Sequence, residues 1–129
     1  MKVSELTPPL LDHWVARAEG LTLKGRWWCR DSKEWCTVEH FAPSARWAVG
    51  GPIIERERIA FAQLVAAFHQ NLGRWEAHVD GQVAQGELSG SACGFGPTQL
   101  IAAMRAHVAS KFGEEVPDAL DGEPAARDR

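Results

Sequence analysis

The chain has 129 residues, with 14 Lys and Arg against 17 Asp and Glu, for a formal net charge of −3. That balance argues against a duplex nucleic-acid binder, whose affinity rests on a basic excess that neutralises phosphates. At this length about two-thirds of the unfolded surface is buried on folding, which suffices for one hydrophobic core without metals or disulfides.

The three cysteines, Cys29, Cys36 and Cys93, are odd in number and form no Cys-x-x-Cys. With no apolar leader near Met1 and no apolar run approaching the roughly 18 residues of a membrane span, the expected location is the cytoplasm.

In chain order, Thr7-Pro8-Pro9 reads as a helix start, with Thr7 as cap and Pro8 at the first helical position. Leu10, Leu11, Trp14, Val15 and Ala18 follow at helical spacing, and Gly20 is a stop, so a helix is predicted over Pro8–Glu19. Asp31-Ser32-Lys33 reads as a turn joining strands over Leu23–Arg30 and Glu34–Phe41. Pro43, Gly50, Gly51 and Pro52 predict an irregular segment over Ala42–Pro52. Ile53–Ile59 suits either a strand or the opening of a helix whose face is Phe61, Leu64, Val65 and Phe68.

Trp75–Val79 is a strand candidate, Asp80-Gly81 a turn, and Gln82–Leu88 the partner strand. Three glycines make Ser89–Gly96 a flexible loop. Pro97–Phe112 carries Leu100, Met104, Val108 and Phe112 on one face with Ile101 beside them, and Gly113 just past the end. The charged, proline-bearing tail is expected to fray from Asp121. These elements compose an α+β fold, a single domain over residues 1–120 with N-terminal and C-terminal helices packed on a small, mostly antiparallel sheet.

Three segments carry a resemblance to a known family. The first is Met1-Lys2-Val3-Ser4-Glu5-Leu6-Thr7 with the Leu11-Asp12 pair and Val15–Gly20. The second is Pro43-Ser44, Trp47-Ala48, then Gly50-Gly51-Pro52 through Ile59. The third is Gly96-Pro97-Thr98, Leu100–Arg105 and Val108–Val116. In these residues the chain resembles the phage NinX family. Ala45-Arg46 stands where the family has Thr-Asp, so no acid is carried over there, and Leu21–His40 and Ala60–Gly96 match poorly. The resemblance implies a phage or prophage origin and no reaction.

Read by their chemistry, Glu55 to Arg58 offer paired carboxylates suited to acid–base work, yet alternating signs equally describe a solvated, salt-bridged surface. Arg105, beside the core candidate Met104, can bind an anion with its planar fork or tie its helix to Glu55 or Glu57. Gly94-Phe95-Gly96 lacks the third glycine of a dinucleotide fingerprint and the lysine of a P-loop. Trp14 and Trp35 are assigned to the core, whereas Trp47, beside Gly50-Gly51, suits a pocket wall. Cys36-x-x-x-His40 has no second pair at metal-finger spacing, so neither a metal nor a cofactor is expected.

The leading expectation is a non-catalytic binding protein for a small polar or anionic ligand. Its site is predicted from Ser44, Trp47, Gly50, Gly51, Glu55, Arg56 and Arg105. A protein–protein adaptor acting on a host or phage enzyme, and a small hydrolase or transferase using Glu55 or Glu57 as base, are the alternatives.

Overall fold

The computed structural model describes residues 1–64 and 73–117. The first helix, α1, runs Leu10–Ala18. It starts later than the sequence suggests and no side chain caps it: Thr7 contributes its carbonyl instead, accepting from the Leu11 N–H at 2.8 Å. Leu11, Trp14 and Val15 face the core, and full burial of an aliphatic side chain of this size stabilises by about 1.5–3 kcal/mol. Gly20, at φ +81°, ends the helix as expected.

A three-stranded antiparallel meander follows: β1 (Thr22–Lys24), β2 (Trp27–Arg30) and β3 (Lys33–Thr37). The turn between β2 and β3 falls at Asp31 and Ser32, both at positive φ. Trp28 and Cys29 point into the core. Trp35, assigned to the core from sequence, is instead 49% exposed, because it lies on β3, an edge strand of this small sheet.

The segment read as irregular over Ala42–Pro52 is half helix: α2 spans Trp47–Arg56, with Pro52 inside it. Ile53 to Arg56 are thus the end of α2 and not a strand, and Phe61 lies on β4 (Ala60–Gln63) rather than on a helix. Pro52 forfeits one backbone hydrogen bond, but Gly50, Ile53 and Ile54 form a stripe of helical spacing that packs inward. Gly50 is there for closeness: a Cβ on it would collide with the Pro43 carbonyl and meet Leu100 Cδ2 at 2.9 Å. Val65 and Phe68 lie outside the described residues, as does the tail from Asp121.

β4, β5 (Trp75–Val79) and β8 (Ala92–Gly96) form a second antiparallel sheet with β5 in the centre. The stretch taken as a flexible loop over Ser89–Gly96 is therefore mostly strand. Gln82–Leu88 does not pair with β5 but folds on itself as the hairpin β6 (Gln82–Ala84) and β7 (Glu87–Ser89). The last helix, α3 (Gln99–Phe112), lies across β8 and β5 with α1 on its other side, and Thr98 Oγ1 caps it by accepting from the Ile101 N–H at 3.1 Å. A Cβ at Gly94 would strike the Ala102 carbonyl and the Ala106 N–H, so the glycines of β8 admit α3 at close range. On the helix side Ala102 and Ala106, which meet those glycines, are wholly buried. No helix among the described residues is long and apolar enough to cross a membrane.

The adjacent glycines of α2 differ in surroundings, since the nearest atom to a Cβ at Gly51 is Trp47 Cε3 at 3.9 Å. Gly50→Ala is expected to destabilise by about 1–3 kcal/mol through overpacking. Gly51→Ala should be neutral or stabilise by up to about 1 kcal/mol through helix propensity. Urea unfolding of the two variants checks the opposite signs.

Candidate functional site

Glu19, the residue after α1, accepts from both other helices. Arg56 of α2 donates from Nη1 to Oε1 at 2.9 Å and from Nη2 to Oε2 at 2.6 Å, and His107 of α3 lies with Nε2 2.8 Å from Oε2. His107 is fully buried, and the Glu19 side chain is only 10% exposed. Burial alone would raise the Glu19 carboxyl. The hydrogen bonds from His107 and Arg56, with the Arg56 charge, outweigh it and hold the pKa at about 2. Arg56 also donates from Nε to Glu57 at 2.8 Å, so its guanidinium is committed to two carboxylates.

Beside this triad a groove of about 430 Å³ opens between α2 and the meander, with Phe41, Val49, Pro52 and Ile53 as its apolar surface and Trp35 and Arg30 at β2 and β3. Arg30 lies over the Trp35 ring, 4.7 Å from its centroid.

The seven residues predicted as one site are dispersed. Ser44 is buried, and its N–H donates to Asp12 Oδ1 at 2.9 Å. Asp12 is raised above the usual carboxylate range by burial, against the hydrogen bonds from Ser44. Gly50 is in the core contact described above, and Trp47, 54% exposed, folds beside Gly51. Glu55 is exposed on α2. Arg56 lines the groove, while Arg105 lines a different pocket. Trp47, Gly50, Gly51, Glu55 and Arg56 thus share α2 but face different surroundings on it, and Ser44 and Arg105 stand apart from them.

Arg105 of α3 pairs with neither Glu55 nor Glu57. Its Nε and Nη2 donate to the Leu6 carbonyl at 3.0 and 2.8 Å, and its Nη1 to the Phe95 carbonyl at 2.8 Å. Two of the five guanidinium donors are left without a partner among the described residues. Among the described residues no carboxylate pairs with it, and burial pulls it below its ordinary pKa. It lines a pocket of about 340 Å³ where the N-terminal turn, β8, α3 and the segment after α3 meet. Lys2, Cys93, Glu114 and Glu115 line the same pocket, and sequence reasoning proposed none of them as site residues. They arrive together because the N-terminal turn pairs with the segment after α3: the Val3 N–H donates to the Glu114 carbonyl at 2.8 Å and the Val116 N–H to the Met1 carbonyl at 2.9 Å. No local pattern signals such a pairing. Among the described residues no group of three or more His, Cys, Asp or Glu is placed to hold a metal ion.

Fold and pockets together define a small α+β protein whose described residues form, among others, a largely apolar groove with aromatic edges and a charged pocket. The chain belongs to the family described as Bacteriophage P22, NinX, whose sequence profile matches residues 2–111, and it is accordingly a phage-derived protein. No curated protein matches it.

Because the Glu19 pKa is depressed in the folded state, its contribution to stability is fully present above about pH 4.5 and is lost as pH falls towards 2. Glu19→Gln should cost about 2 kcal/mol at pH 7, discounted for the half-exposed Arg56. Thermal melts of wild type and variant should separate at pH 7 and converge between pH 4.5 and 2.

Proposed function

We propose that this protein is a non-catalytic binding protein for a small ligand bearing a carboxylate or similar oxyanion, held by Arg105. One observation carries the reading: a half-buried guanidinium with two spare donors and no salt bridge among the described residues lines a ligand-sized pocket. A charge-assisted hydrogen bond contributes about 1.5–3 kcal/mol, more than a neutral one, and a carboxylate matches the guanidinium fork. Arg56 is the weaker anion receptor, since Glu19 and Glu57 already occupy it. Those contacts also count against Glu57 as a catalytic base, and Glu55 lies in neither opening.

A second reading keeps the adaptor role and sets it at the groove, where Trp35 is 49% exposed, with Trp47, 54% exposed, at the start of the α2 helix that walls it. Half-exposed tryptophans near an apolar groove are the usual anchors of a protein partner. Trp35→Ala with Trp47→Ala should then abolish capture of a partner without changing small-molecule affinity.

The direct test is titration of the ¹⁵N-labelled protein with propanoate. The Arg105 Nε–H resonance is expected to shift saturably, with a Kd near 1 mM, or about 4 kcal/mol of binding. Ala109→Leu fills the same pocket without touching the Arg105 hydrogen bonds and should erase the shift while leaving the fold intact. An unresponsive wild-type Arg105 resonance refutes the reading.

A further inference from the structure

The pocket of Arg105 holds charges of both signs. Arg105 and Lys2 line it together with Glu114 and Glu115. None of these four makes a salt bridge among the described residues. Lys2 and Glu115 are register partners in an isolated antiparallel bridge, so their side chains share a side, yet no ion pair closes between them. A surface that needed these charges only for solubility would scatter them. Here the pairing of the N-terminal turn with the segment after α3 gathers them around one opening, with Val3, Phe95 and Ala109 as apolar wall.

We infer that the ligand is a free amino acid with an apolar side chain, its carboxylate on Arg105 and its ammonium facing Glu114 and Glu115. The inference rests on the anion-binding reading above and narrows it. A plain anion would gain Arg105 but meet the repulsion of two carboxylates, whereas a zwitterion turns both carboxylates into partners. Size agrees: about 340 Å³ equals roughly eleven water volumes of about 30 Å³ each, room for the nine heavy atoms of leucine. The apolar wall of Val3, Phe95 and Ala109 suits an aliphatic side chain.

The experiment compares three probes on the full chain by calorimetry: L-leucine, 4-methylpentanoate, which lacks the ammonium, and L-leucinamide, which lacks the carboxylate. Leucine is expected to bind at least tenfold more tightly than either. In Glu114→Gln with Glu115→Gln the leucine-to-4-methylpentanoate ratio should fall towards one, a change that a merely structural role for these residues does not produce. Leucine should also protect Cys93, which lines the pocket and is exposed, from iodoacetamide. Equal affinities for leucine and 4-methylpentanoate overturn the zwitterion while leaving the anion site standing. Tighter binding of leucinamide, or leucine binding without protection of Cys93, also overturns it. If neither leucine nor 4-methylpentanoate binds, the anion-binding reading falls with it.

Discussion

Glu19 ends α1 and accepts hydrogen bonds from α2 through Arg56 and from α3 through His107, so one carboxylate sets the mutual position of all three helices. Such an arrangement is exacting. A carboxylate at 10% exposure loses most of its hydration, and only a guanidinium fork together with an imidazole supplies enough donors to replace it. The depressed pKa reports that the replacement more than offsets the desolvation. Removing Arg56 or His107 leaves the nearly buried Glu19 carboxylate with unmet hydrogen bonds, while the half-exposed Arg56 can turn to water.

The second constraint is steric. α3 is buried on nearly every side, since it fills the space between α1 and the sheet of β4, β5 and β8. It fits because β8 contributes glycines where the helix contributes alanines. That close approach lets Arg105 reach the Phe95 carbonyl of β8 at 2.8 Å and the Leu6 carbonyl of the N-terminal turn on its other edge. The same packing that builds the core therefore aims a cation at the pocket. The two openings differ for a related reason: the charge of Arg56 is spent on Glu19 and Glu57, whereas Arg105 meets only neutral carbonyls.

Much of the fold was legible because its signals are local. The apolar spacing of Leu11, Trp14 and Val15, the apolar face and flanking Gly113 of α3, and the turns at Asp31-Ser32 and Asp80-Gly81 all lie within a few residues of what they specify. The sequence by itself thus determined the α+β class, the first and last helices and membership of the phage family. It did not determine α2 or β8. A glycine means either a break or a close contact, and only the neighbour tells which: Pro43 and Leu100 for Gly50, Ala102 and Ala106 for Gly94. Nor did it determine which polar residues work together. Glu19 meets Arg56 across 37 positions and His107 across 88, and Lys2 faces Glu115 from the far end of the matched region. Pairings of that range leave no periodic trace, because they depend on where helices and chain ends come to rest, and that was decided by the tertiary structure alone.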